Sequence, residues 1–200
     1  MSKKKPSKLI TLIKSFFSAL ALFAFYKYTS GKSANMPNTP NTPNTLSEYH
    51  KWRDVIFSVT SDQVGVSDDK ANQVYGIVMD VGLSDNFIIS ITAFPTGESS
   101  LRTTIGGGTI GLGGDEIIAK LAQQIVTSAQ SLAEKATQTN DHNLPKSQVV
   151  YFYFLTTSGL MLRETSVKEA YAHNHPLHEI FIQFTKIKTR SEELKEKYKG

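Results

Sequence analysis

The stretch LITLIKSFFSALALFAFYKY, which begins at Leu9, restricts this chain more than any other part of it. Residues 9–26 are eighteen in a row with a single charge, Lys14. As an α-helix they would extend about 27 Å at 1.5 Å per residue, enough to cross a bilayer's hydrocarbon core. Lys14 lies near one end, where its long stem can carry the ammonium to the headgroups. Tyr26 and Tyr28 stand at the other end, at the depth aromatic residues favour. Lys3, Lys4, Lys5 and Lys8 precede the run and only Lys27 and Lys32 follow it closely, so the N-terminus is expected inside and the remainder outside. A cleaved signal peptide is the main alternative, with KKKPSK as its basic region and residues 15–26 as its apolar one. The small residues Ala19 and Ala21 come early for a cleavage site, and Lys32-Ser33-Ala34 is a poor one. The run is apolar nearly all round, which disfavours a helix lying in the membrane plane.

The organisation that follows from this anchor is serial. Residues 1–8 form a basic tail and residues 9–28 the transmembrane segment. Residues 31–45 read GKSANMPNTPNTPNT, with Asn-Thr-Pro repeated in succession. Proline at every third place and no packing side chains predict an extended, solvated stalk, up to about 45 Å long as polyproline II. Residues 46–190 carry the globular pattern, and residues 191–200 are a charged tail. The net charge of +4 gathers at the two ends, leaving the middle near neutral and without a basic face for nucleic acid. The absence of cysteine excludes disulfides, iron–sulfur clusters, thiol catalysis and cysteine-bound zinc.

Within the globular part, a helix is predicted over 47–59, with Tyr49, Trp52, Val55, Ile56 and Val59 on one face. QVYGIVMDVG and NFIISITAFP read as strands joined by the turn LSDN, and SSLRTT as a third, more polar strand. Asp115 caps a helix reaching about residue 137, with Ile118, Leu121, Ile125, Ala129 and Leu132 as its apolar stripe. QVVYFYFLTT is a strand turned by Ser158-Gly159 into LMLRET. Ser166 and Glu169 fit a capping box. After Pro176, residues 177, 180, 181, 184 and 187 are apolar at helical spacing, although IFIQF also suits a strand.

The order helix, three strands, helix, two strands, helix predicts an α+β fold: an antiparallel sheet of about five strands with helices packed on it. In element order it is similar to the profilin, longin and roadblock group. WRDVIFSVT, VYGIVMDVG, SLRTTIGGGTIGLGGDE, YFYFLTTSG and HPLHEIFIQFTKIKTR also succeed one another in a way that resembles a family of uncharacterised bacterial proteins. Those carry a Trp-containing first helix, a VWGVLMETG-like strand and a glycine loop of the form SLY-S-GGG-IG-GEH. An FY-LT--G strand and an HPL--LF helix follow. The resemblance spans residues 52–190, and the loop is its most specific part. It implies no activity. This chain differs in having Arg102 where an aromatic usually follows the leucine, and in its anchor and stalk.

The glycine loop is the main candidate site. Gly106, Gly108 and Gly111 match G-x-G-x-x-G, and Gly107, Gly113 and Gly114 add to them. A dinucleotide loop needs a buried apolar strand before it and a helix starting within it. Here the lead-in is Ser99-Ser100-Leu101-Arg102-Thr103-Thr104, and Gly113-Gly114 stand before the helix. The Gly-Lys-Ser/Thr of a P-loop is missing. The glycines therefore point to a tight connection or a binding loop, with Arg102, the loop amides and Asp115 as ligand-binding candidates.

His173, His175 and His178, with Glu179, fall within seven residues and are the candidate metal ligands. The competing reading places them, hydrogen-bonded or solvated, at the start of a helix capped by Asn174. HNHP is similar to the HNHPSG of JAB1/MPN-type metallopeptidases, but Leu177 and His178 replace Ser-Gly and Lys186 falls where the distal aspartate belongs. Gly97-Glu98-Ser99-Ser100 lacks the closing glycine of a nucleophile elbow. Asp80, Asp85, Glu98, Asp115 and Glu116 are the carboxylates that could pair for acid–base work; solvated loop charges are the simpler outcome. No catalytic residue and no cofactor-binding pattern emerges. The sequence points to a membrane-anchored binding module rather than an enzyme, with a protein partner expected. A small ligand or nucleotide at the glycine loop, or a metal at the histidines, is the alternative.

Overall fold

Runs of β-branched and aromatic residues form the long strands, because such side chains fill a pleated, half-buried surface. The computed structural model describes residues 45–197, all within one compact unit. The basic tail, the anchor and residues 31–44 of the stalk lie outside the described residues. Helix α1 (Thr45–Phe57) leads to a 3-10 turn at Asp62–Val64 and then to strands β1 (Val74–Ser84), β2 (Phe87–Ala93), β3 (Ser99–Thr103) and β4 (Gly108–Thr109). A 3-10 turn at Leu112–Gly114 precedes α2 (Glu116–Ala133). The chain continues through β5 (Thr137–Gln138), β6 (Val149–Thr156), β7 (Gly159–Ser166), α3 (Val167–Ala170) and α4 (His178–Lys197).

The strands form one sheet in the order β4-β3-β2-β1-β6-β7-β5, and every pairing is antiparallel. The fold is α+β as expected, but the sheet has seven strands rather than five. The two additional strands are two residues long and close the edges, too short to leave a periodic signal. The second also shortens α2, which stops at Ala133 because Thr137 and Gln138 pair with β7.

Strand β1 is central and buried on both sides. Val78 joins a cluster with Tyr49, Trp52 and Ile56 of α1 and with Phe94, Tyr153 and Leu155. Ile77 and Met79 point the other way and are fully buried. That second side is covered by α2, which runs against β1 and β2 and packs on α4. Ile118, Ala122, Ile125 and Ala129 are fully inaccessible along α2. Each isoleucine so buried stabilises the fold by about 1.5–3 kcal/mol. Val55, expected on the inner face of α1, is 63% exposed; Arg53 takes an inward place instead.

Residues 180–188 are helical, which decides between the two readings of IFIQF. Ile180, Phe181, Phe184 and Ile187 are buried at helical spacing. The helix starts at His178, two residues after Pro176, and runs through residue 197. It therefore continues past residue 190 into the expected charged tail, where Ser191 is only 1% exposed. The ion pairs there include Lys188–Glu192 and Arg190–Glu193. Among the described residues no helix is long and apolar enough to cross a membrane.

Candidate functional site

The glycine loop leaves β3, turns at residues 104–107, returns as β4 and tightens into the 3-10 turn before α2. The G-x-G-x-x-G match thus falls on an antiparallel hairpin, and among the described residues no parallel βαβ unit stands there to carry a dinucleotide. Gly106, Gly107, Gly108 and Gly111 all have φ between 74° and 133°, which accounts for four of the glycines by backbone conformation. At Gly108 a Cβ would also stand 2.1 Å from the Leu101 carbonyl oxygen, so only glycine lets the two strands pair. Gly114 is different: its φ is not positive and a Cβ there would meet nothing within 4 Å.

Asp115 ends the loop as the N-cap of α2, accepting a hydrogen bond from the Ile118 amide at 3.2 Å. Its carboxylate also takes Arg190 of α4, whose Nη2 lies 2.8 Å from Oδ2. The hydrogen bond from Arg190 comes first among the causes that hold the Asp115 carboxyl below its ordinary value. A cavity of about 500 Å³ lies beside this pair, lined by Thr109, Gly111, Leu112, Gly114, Asp115, Ser191, Leu194 and Lys195. Arg102 is not among them. Leu101 pairs with Thr109 and with Ile91, which places Thr109 on the α2–α4 side. Arg102 pairs with Gly108 and with Ser90 and so belongs to the α1 side. The expected set therefore divides between the two faces of the sheet.

The outer surface of the loop is apolar. Residues 105–114 contain no charged side chain. Ile105 and Ile110 are 56% and 58% exposed, and Ile117 in the first turn of α2 is exposed too.

A polar cluster under α1 holds Asp80, which the sequence offered only as one of five carboxylates, with Arg53, Ser90 and Tyr49. Arg53 Nη1 meets Asp80 Oδ2 at 2.5 Å, and both side chains are essentially inaccessible. Ser90 donates to Asp80 Oδ1, and Tyr49 donates to Ser90. Arg53 also donates from Nε and Nη2 to the His142 carbonyl at 3.2 and 2.8 Å, and from Nη2 to that of Asn143 at 3.3 Å. Its guanidinium lies over the Phe57 and Tyr153 rings. Burial pushes the Asp80 carboxyl up, against the pull of Arg53. The sequence did hold a signal: Asp80 stands alone in the apolar run VYGIVMDVG. This cluster clamps the 139–145 segment and α1 to the sheet.

The three histidines do not form a ligand set. His175 Nδ1 accepts from the Leu177 amide at 3.3 Å, and Nε2 faces Thr165 Oγ1 at 3.4 Å. The Thr165 hydroxyl lies 3.2 Å from Glu169 Oε2, which accepts from it. Burial, then the Arg163 charge, lowers the His175 pKa, which suits a neutral ring donating from Nε2. His178 Nδ1 is 3.1 Å from the Ala170 carbonyl, and its ring meets His173 edge-on at 4.6 Å between centroids. Among the described residues no three His, Cys, Asp or Glu side chains gather as metal ligands. Asn174 lies in the turns before α4 and does not cap it.

Three of the five candidate carboxylates are likewise committed to separate partners: Asp80 to Arg53, Asp115 to Arg190 and Glu116 to Lys120. The fold and these sites define a three-layer α+β domain with an antiparallel sheet between α1 and the α2–α4 pair. Comparison with protein-family models, curated proteins and solved structures gives no match to this chain.

Proposed function

We propose that this chain is a membrane-tethered binding module that takes a protein partner on its glycine loop. The observation that carries the proposal is the loop's outer surface. Residues 105–114 carry no charge and expose Ile105 and Ile110 beside the edge strand β4. An uncharged surface that presents two isoleucines close in sequence favours contact with another apolar surface. The partner is a protein offering an uncharged, apolar face. In this reading residues 9–28 hold the chain in the membrane as a single span, N-terminus cytoplasmic, and residues 31–45 give the domain reach on the outer side. Secretion after signal cleavage is the alternative for the same N-terminal pattern. The profilin, longin and roadblock-like element order is compatible with binding but assigns no function by itself.

The test places a photo-crosslinking residue at position 110 of the full-length chain in its membrane, with position 55 as control. Val55 is equally apolar and 63% exposed, but lies on α1. A defined protein adduct from position 110, absent from 55 and lost in an Ile105→Ser background, supports the module. Identical adducts from both positions, or none from 110, overturn it. Because the chain has no cysteine, Val55→Cys in the same preparation reports the side of the membrane through an impermeant maleimide.

A further inference from the structure

We infer that the partner of the glycine loop docks as an extended strand on the outer edge of β4 and sets a carboxylate, at the rim of its apolar face, against Arg102. The inference rests on the docking reading and says how the partner is held. The sheet order leaves β4 at one end, paired with β3 alone. The Thr103 amide donates to the Gly107 carbonyl, so antiparallel alternation turns Thr109 towards β3 and the N–H and C=O of Gly108 away from it. Among the described residues no other backbone group takes them. Sheet edges are ordinarily guarded by charge or proline, which deter an added strand. The other end of this sheet is guarded so: Glu134 and Lys135 come just before β5, and Arg163 and Glu164 follow the β7 residues that pair with it. Around β4 residues 103–114 contain neither a charge nor a proline.

Arg102 supplies the second observation. It carries the only charge in residues 99–114. It stands opposite Gly108 in the β3–β4 pair, and its stem lies against that glycine: a Cβ there would come within 2.9 Å of Arg102 Cδ. Its Nε is buried without an acceptor, while the residue as a whole is only half-buried. No ion pair among the described residues includes it. Asp80, two strands across on the same face, is already matched by Arg53. A half-desolvated guanidinium without an anion is complemented by a carboxylate, which it takes through two parallel N–H···O bonds. A strand added at Gly108 delivers one. Its residue opposite Gly108 shares the face of Arg102, about 10 Å away across two strand spacings. Gly108 has no side chain to stand between them, and an arginine with an aspartate or glutamate spans that gap. The isoleucines then meet the partner's apolar face and Arg102 its charged rim.

The probe is an immobilised library of short synthetic peptides with amidated C-termini, beside a second library with free ones, overlaid with full-length protein in detergent. Wild-type protein should retain amidated peptides that are β-branched and apolar around one Asp or Glu. Methylating alternate backbone nitrogens of a retained peptide should weaken it at least tenfold in one phase and little in the other, as strand pairing requires. Arg102→Gln should lose the acidic preference, and Arg102→Glu should reverse it to Lys or Arg. Trp52 fluorescence and the unfolding midpoint check that each variant is folded. Should Arg102→Glu fail to fold, the glutamine variant and the methylated peptides decide the matter. No retention, retention without an acidic preference or only by free C-termini, or indifference to methylation overturns the inference. The crosslink from position 110 separates it from the docking reading. Arg102→Glu should abolish that adduct. An adduct that survives in a folded Arg102→Glu protein leaves the loop a docking site but overturns this mode of docking, whereas no adduct from the wild-type chain overturns both.

Discussion

Replacing Arg53 by methionine isolates the strongest claim about how this fold is held. The substitution keeps most of the side-chain length but removes the charge. It leaves Asp80, fully buried, with only Ser90 as a donor, and leaves the His142 and Asn143 carbonyls without their clamp. Removing one partner of a buried ion pair costs about 3–5 kcal/mol, chiefly from the stranded charge. At about 2–4 °C per kcal/mol for a domain of this size, the melting midpoint should fall by roughly 10 °C. The pH dependence provides the sharper check. Burial already raises the Asp80 carboxyl above its ordinary value of 3.8, and losing Arg53 removes the main opposing charge. A folded-state pKa raised above the unfolded one gives a contribution that is complete below the unfolded value and lost as pH rises through the folded one. The deficit of the variant should therefore be largest at pH 7 and shrink towards pH 4. Urea unfolding followed through Trp52, the single tryptophan and a member of the α1 cluster, measures it directly. A deficit below about 1 kcal/mol, the scale of an exposed pair, would refute the argument. So would one that does not narrow on acidification.

Three further outcomes are expected. Gly108→Ala should cost about 1–3 kcal/mol, because its φ of 133° and the Leu101 carbonyl both oppose a Cβ, whereas Gly114→Ala should stay within about 0.5 kcal/mol; chemical denaturation separates them. Asp115→Asn should lose stability that wild type shows above the ordinary carboxylate value and surrenders as pH falls through the depressed folded one, so the two melting curves converge in acid. Ser166→Ala should remove about 1 kcal/mol and speed amide exchange in α3, since Ser166 and Glu169 satisfy each other's backbone donors there.

Local signals were the legible ones. The Asp115 cap and the Ser166–Glu169 box are contacts between residues three apart, so their letters alone predict them, and both form. The long strands follow from their composition and α2 from the spacing of its apolar residues, whereas IFIQF in α4 fitted a strand as well as a helix. What sequence hid depends on pairing across long separations. Arg53 and Asp80 are twenty-seven positions apart, and nothing local says that one lies over the other. Val55 sits at a spacing that suits either flank of a helix, and tertiary packing sent it outward. Arg102 and the loop's cavity side were grouped because they are neighbours in the chain, yet strand alternation sends them to opposite faces. Ser191 fell within a charged stretch whose letters suggested only a solvated helix end.

The position of α1 has a mechanical consequence. Any pull on the chain ahead of residue 45 enters the domain through this helix. α1 lies across the middle of the sheet, where Arg53 grips the central strand. Tension is thus delivered to the most heavily bonded strand and shared between its two neighbours, instead of peeling a margin of the sheet one bond at a time.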